Sequence, residues 1–422
     1  MRHCESRPLL PYRWELVLWL WFAFFLNQGD RQIFSVVLPQ LKAELNLDDV
    51  QAGLVATLFS AALAIAVPVA GILGDRWDRK KVIVGSLLGW SLTTLCTGFV
   101  TGLPYLILVR SLATGAGEAL YAPAAYALMA QQHVETRARA MAIHQTALYV
   151  GVVASGFLAG WIADRYGWRP AFWSFGVVGI ALGVICLFRL QPALPTARST
   201  PIPLLTVFHT LVSTPTVVLL SLAFGCMVFV NVGYLTWMPT YLHERFGLSL
   251  ANAGFSSMFS HHLFAFAGVA TGGAVSDWLA VRNPRRRLDI QAFGLMTASP
   301  FLFILGDTGS LWTVIAALAA FGFFRGIYDS NIYASVYEVV EPRMHATASG
   351  FVICFAFLFG STAPVLLGAI KQRFGLAHGF SVLALAYITG AVCIVAGSAR
   401  FFERDHKRAQ AAAVAARGIN NE

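Results

Sequence analysis

Asp30 and Arg31 stand side by side in the middle of an apolar stretch at residues 16–38, flanked by Asn27, Gln28 and Gly29. As a helix this stretch of about 23 residues reaches roughly 34 Å, enough to cross a bilayer. A charge near the centre of such a helix costs about 2.5–3.5 kcal/mol on insertion scales. Two adjacent charges of opposite sign must therefore face a bundle interior or a watery cavity. The alternatives are a solute pathway and a structural ion pair that only sets helix packing. Arg110, Glu118, Arg325 and Asp329 are further charges inside apolar stretches. Arg325 and Asp329 are spaced i,i+4, so they share a helix face and pair with each other. Arg110 precedes Glu118 by eight positions, which on a regular helix turns it about 80° away. Asp30 and Glu118 are the candidate proton carriers. Burial and a nearby guanidinium pull a carboxyl's titration in opposite senses and can bring it into a working range.

Uncharged polar groups recur at similar depth. His261 and His262 are adjacent, so at most one of them faces a central cavity, and a hydrogen-bonded structural role suits them better than a metal site. His144, Gln145, Tyr149, Asn231, Tyr234, Ser361 and Thr362 are possible cavity groups or interhelical hydrogen bonders. Tyr121, Trp237 and Tyr328 add aromatic surface suited to a substrate with an apolar portion, and Asn331 follows Tyr328 closely. The six cysteines are scattered without disulfide or zinc spacing. No phosphate-cradling loop or nucleophilic triad is legible, so neither an enzyme nor a cofactor is expected.

The elements that hold these residues follow from composition. Hydrophobic residues make up 57% of the 422 and charged residues 12%, with a mean hydropathy of +0.65. The apolar residues come in blocks of about 20 separated by short polar connections, the pattern of membrane helices. Twelve such blocks are expected. The net charge of +9 does not indicate nucleic acid. Most basic residues fall in alternate connections and the two tails, which places both termini in the cytoplasm. Residues 191–215 carry Pro192, Pro195, Pro201, Pro203 and Pro215 and read as an irregular cytoplasmic linker. The expected divisions are residues 1–190, this linker, residues 216–403 and a basic tail at 404–422.

The two halves repeat. Gly71-x-x-x-Asp75 matches Gly273-x-x-x-Asp277, each followed by a basic cluster. Glu135-x-Arg137 matches Glu341-x-Arg343, and Arg165-x-Gly167 matches Arg373-x-Gly375, in the same order and offset by about 200 residues. Parallel duplication of six spans is a common build for secondary transporters, with a site at midplane between the halves.

Gly71-x-x-x-Asp75-Arg76-x-x-Arg79-Lys80-Lys81 resembles the signature after the second helix of the major facilitator superfamily, and the resemblance runs over most of the chain. It implies an all-α integral membrane protein of twelve transmembrane helices in two pseudo-symmetric six-helix bundles. Asp75, Arg76, Arg79 and Asp277 would then be conformational latches, with topology-setting charge as the bland alternative. Asn27-x-x-Asp30-Arg31, Gly115-x-Gly117-Glu118 and Trp237-x-Pro239-x-Tyr241 resemble the anion:cation symporter and Spinster-like branches. Gln28 stands where the first branch usually has Tyr, and the Arg110–Glu118 spacing is one residue longer than usual.

The resemblance implies that Asp30 and Glu118 carry the coupling proton and that Arg31 meets an anionic substrate group. Protonation of Asp30 would free Arg31 for the anion. Arg110, Gln145, Tyr149, Tyr234, Trp237, Arg325, Tyr328 and Asn331 complete the expected substrate contacts. The leading expectation is a monomeric proton-coupled symporter of a small organic anion, a sugar acid or aromatic carboxylate, in a bacterial inner membrane. A Spinster-like exporter of amphiphilic lipid or hydrophobic anion is the runner-up. A non-transporting membrane sensor is the reading from a different class.

Overall fold

The computed structural model describes residues 11–192 and 204–419, and within them it is helical with short connections. Helix α1 (Tyr12–Leu45) is followed by α2 (Asp49–Arg76) and α3 (Arg79–Thr97). The next crossing is composite: α4 (Leu103–Leu106), a π-helical segment at Ile107–Ala113, α5 (Thr114–Ala119) and α6 (Tyr121–Gln132). Helices α7 (Arg137–Tyr166) and α8 (Trp168–Arg189) complete the first half. A short α9 (Leu204–Val212) precedes α10 (Pro215–Phe246), α11 (Leu250–Ala280) and α12 (Arg286–Asp307). Then come α13 (Leu311–Asp329), α14 (Ile332–Tyr337), α15 (His345–Gly360), α16 (Ala363–Phe374), α17 (Leu376–Arg400) and α18 (Phe402–Ile419).

Among the described residues nine helical stretches are long and apolar enough to cross a membrane. Helix α1 falls short of that standard because Asn27–Gln32 interrupts its apolar run, and these same polar side chains are the ones it brings to the interior. The expected linker is not wholly irregular. Its prolines cluster before residue 204 and at Pro215, and the proline-free stretch between them forms α9. The remainder of that linker, residues 193–203, lies outside the described residues.

Turns show how the repeat is folded. Gly167 and Gly375, matched positions of the two halves, both adopt positive φ, 84° and 82°, immediately before α8 and α17. That backbone region strains residues with a Cβ, so the same residue type serves the same corner twice. The α1–α2 corner is set by Asn46 in the left-handed region and by a capping box between Asp48 and Gln51.

In the first half α1 packs on α7 and α8, and α3 on α8; in the second α10 and α12 pack on α17, and α11 on α13. The halves meet along α7 with α11, α2 with α15 and α16, and α1 with α10. Small residues allow the closest approach: a Cβ built on Gly254 would lie 2.4 Å from the Gly156 carbonyl oxygen. The end remote from Tyr12 is closed by cross-half bonds. Asp164 accepts the Leu250 and Ala251 amides at 2.9 and 3.0 Å, which caps α11 from the other half. Lys371 reaches Asp49 at 3.2 Å and Glu244 at 2.7 Å, and Lys42 also pairs with Asp49.

Candidate functional site

Between the halves lies a cavity of about 460 Å³, within the range of small-molecule sites. Its charged lining comprises Arg31 from α1, Arg110 from the π segment, and Arg325 and Asp329 from α13. Gln28, Gln32, Ser60, Gln145, Tyr149, Asn231, Thr236 and His262 supply polar groups, and Phe59, Leu63 and Phe357 supply apolar wall. A second space of about 270 Å³ shares Gln28, Arg31, Leu63 and Phe357 and continues past Glu118 toward Phe24 and Tyr126. The cavity therefore extends toward the end that holds Tyr12 and is shut at the other.

Arg31 Nε donates to Glu118 Oε2 at 2.8 Å, across 87 positions of sequence. The Arg31 side chain is 28% exposed, whereas that of Glu118 is fully buried. Glu118 uses one oxygen in this bond; its Oε1 is buried without a hydrogen-bond partner. Asp30, 3% exposed, turns the other way and accepts from Thr94 Oγ1 at 2.9 Å. In this conformation Glu118, rather than Asp30, makes the direct hydrogen bond to Arg31. Adjacent residues on a helix point about 100° apart, and that angle sends the two charges to different neighbours.

Arg110 reaches the same cluster although regular helix geometry directs it elsewhere. A π turn accommodates one residue more than an α turn, so Ile107–Ala113 absorbs the extra position. Arg110 Nη2 donates to the Asp30 carbonyl at 2.9 Å, and the guanidinium lies 4.6 Å from the Phe59 ring centre. Its Nε and Nη1 are buried without hydrogen-bond partners.

On the other side Arg325 Nε lies 3.3 Å from Asp329 Oδ2, the pairing that i,i+4 spacing predicts. Arg325 Nη1 also donates to His261 Nε2 at 2.8 Å. His261 is fully buried, while His262 lines the cavity, so one of the two faces it.

Not every expected contact is brought to the cavity in this conformation. Arg31, Arg110, Gln145, Tyr149 and Arg325 line it. Tyr234, Trp237, Tyr328 and Asn331 are packed within the second half instead. The Tyr234 hydroxyl donates to the Ser257 carbonyl, and Trp237 Nε1 donates to the Pro364 carbonyl at 3.0 Å. Asn331 Oδ1 accepts from Ser276 at 2.5 Å. A buried Tyr or Trp needs a partner for its polar atom, and neighbouring helix carbonyls supply it. Tyr121 behaves alike, donating to the Leu20 carbonyl at 2.6 Å, and His144 stacks on Phe24.

Of the expected latch residues, the Asp75 side chain lies outside the described residues. Arg79 Nη1 donates to Gln131 Oε1 at 2.6 Å, Arg76 is exposed, and Asp277 accepts from Arg287 at 2.8 Å. Thr94 and Phe59 escaped sequence reasoning because nothing marks them among the other Thr and Phe residues of apolar helices. Asp164 directly precedes the Arg165-x-Gly167 repeat, and nothing in its own spacing marks it as a cap for another helix.

The Major Facilitator Superfamily model matches residues 20–364, and the chain belongs to that family. Protein spinster homolog 1 of Homo sapiens is 31% identical over 94% of this chain and 82% of its own length. The probable galactarate/D-glucarate transporter of Bacillus subtilis is 26% identical, covering 90% of each chain. A solved bacterial homolog of the human lysosomal transporter Spinster, inward-facing and unoccupied, superposes with a TM-score of 0.77. That likeness covers 95% of this chain and 99% of the other at 22% identity and bears on the fold alone. The chain is thus a membrane transporter of this fold, not an enzyme.

Proposed function

We propose that this protein is a proton-coupled symporter of a small organic anion, a sugar acid or aromatic carboxylate, working by alternating exposure of the central cavity. The observation that carries the reading is Arg31, partly exposed to the cavity and held by the fully buried Glu118. A substrate carboxylate entering the cavity forms paired, charge-assisted hydrogen bonds with the guanidinium. Glu118 then loses its counter-charge in a buried setting and takes up a proton from water. Anion and proton thus load together, and either alone leaves a buried charge unbalanced. Asp30, between Thr94 and the Arg110 contact, is the second proton carrier. The galactarate/D-glucarate relative supports a sugar acid.

In this reading the two halves, 1–190 and 216–403, rock about the cavity as a monomer in a bacterial inner membrane, both termini cytoplasmic. The end closed by Asp164 and Lys371 faces outward, and Asp75, Arg76, Arg79 and Asp277 serve as latches of the opposite state.

The test is uptake of labelled galactarate, glucuronate and benzoate into proteoliposomes under an inward proton gradient. Accumulation that collapses with the gradient, and falls about tenfold or more in Arg31→Ala, is the expected result. A second reading, Spinster-like export of an amphiphilic lipid or hydrophobic anion, draws on one specific feature. A mostly apolar crevice between α7 and α11, lined by Val150, Phe157, Phe255, Phe259 and Phe266, shares Tyr149 and His262 with the cavity. Lysolipid flux without uptake of any of the three acids favours it.

A further inference from the structure

Resting on the organic-anion reading, we infer that the cavity is built for a dianion: an α,ω-dicarboxylate whose two ends meet Arg31 and Arg325, one guanidinium from each half of the chain. Both arginines line the same cavity. Each is already matched to one carboxylate of its own half, Arg31 to Glu118 at 2.8 Å and Arg325 to Asp329 at 3.3 Å. Each of those carboxylates keeps one buried oxygen, Glu118 Oε1 and Asp329 Oδ1, without a hydrogen-bond partner. The two halves thus present the same device: a cavity-lining guanidinium resting on an under-used carboxylate, ready to exchange it for an incoming one.

Arg110 does not compete for this role. It also lines the cavity, but at 3% exposure and with its Nη2 committed to the Asp30 carbonyl it offers an entering anion less than Arg31 does. Arg325 is also held from its far side by His261, which keeps the guanidinium aimed when Asp329 lets go. The charge balance points the same way. Three guanidiniums and three carboxylates make a neutral cluster when all are ionised. A dianion that displaces Glu118 and Asp329 is balanced when each displaced carboxylate takes one proton from water. A monoanion satisfies only one of the two devices and leaves the other closed. Leu63, Leu148, Val152 and Phe357 in the wall suit the methylene chain between two carboxylates. A monoanion with a long tail is the rival, since its tail could lie in the crevice reached through Tyr149 and His262.

The experiment compares succinate, adipate and suberate with butanoate, hexanoate and octanoate, matched in carbon number, as competitors and as substrates in proteoliposomes. A diacid preferred about tenfold or more over its monoacid at one chain length, with Arg325→Gln bringing that ratio to about one, supports the inference. Arg325→Lys is expected to keep part of the preference, because it retains the charge without the fork. Monoacids transported as well as diacids at every length, or a ratio unmoved in a folded Arg325→Gln, overturns it while leaving the organic-anion reading intact. If Arg325→Gln does not fold, the wild-type ratio and thermal shifts of wild type with each acid decide alone. Transport of neither series overturns the inference, and uptake of labelled galactarate, glucuronate and benzoate decides the organic-anion reading separately.

Discussion

Arg31 and Glu118 are joined by a 2.8 Å hydrogen bond between the first helix and the fourth crossing, with the carboxylate fully buried and the guanidinium open to the cavity. The bond makes Glu118 the group whose charge depends on what Arg31 is bound to. A variant that keeps the shape of Glu118 but removes its proton chemistry separates the two roles.

Glu118→Gln is expected to retain substrate binding and one-for-one exchange of labelled for unlabelled anion, while proton-driven accumulation falls at least about tenfold. Counterflow and gradient-driven uptake measured on the same vesicles give the ratio. Accumulation at the wild-type level removes Glu118 from coupling.

The closed end depends on a cap supplied from the opposite half. Asp164 accepts two amides at the start of α11, and loss of such a cap costs roughly 1 kcal/mol, about a fivefold shift between states. Asp164→Ala is therefore expected to raise labelling of a cysteine placed at Ala251, buried against α7 in this state, by an impermeant maleimide about fivefold. Lys371→Ala acts at the matching contact with Asp49 and Glu244 and is expected to shift labelling in the same direction. Unchanged labelling in both variants removes these contacts from the gate.

The π segment makes a prediction about length. Deleting Leu112, an exposed residue of Ile107–Ala113, lets the segment close to a regular α-helix with Arg110 seven positions before Glu118. Seven residues are nearly two turns, so Arg110 stays on the same face and transport is expected to remain within about threefold. Inserting one alanine after Leu112 instead turns Arg110 by about a further 100° and is expected to abolish transport. Initial uptake rates in the two variants check both outcomes.

Outside the apolar spans, Glu44 ties three elements together. Its carboxylate accepts from Arg169 at 2.8 Å and from Trp168 at 2.6 Å, while Arg169 also donates to the Gly98 and Val100 carbonyls at 2.9 Å. The Arg169 hydrogen bond leads in holding Glu44 below the usual glutamate value; desolvation opposes it, and the Trp168 bond adds to it. A carboxyl lowered by folding stabilises the fold above its unfolded value, and the benefit is lost as pH falls through the lowered one. The melting temperature of wild type is therefore expected to drop more than that of Glu44→Gln as pH falls below about 4.5. Parallel melting curves for the two proteins rule the contribution out.

Some of this was legible in the chain as written. Hydropathy, the tandem motifs and the position of basic residues define a duplicated membrane protein, because insertion energy and helix length act on local composition. The Arg325–Asp329 pair was equally legible, since i,i+4 neighbours are placed by helix geometry alone. The partner of Arg31 was not. It lies 87 positions away, and which helix faces Arg31 depends on rotation and crossing angle, set by packing along the whole interface. Arg110 shows the same limit from the other side: a regular helix turns it away, and a local π turn returns it to the cluster. Tyr149 does line the cavity, whereas Tyr121, Tyr234 and Trp237 were drawn into the interior, where their polar atoms found carbonyls on neighbouring helices. Which residues are buried charges was thus decided by sequence; which of them meet was decided by how the helices pack.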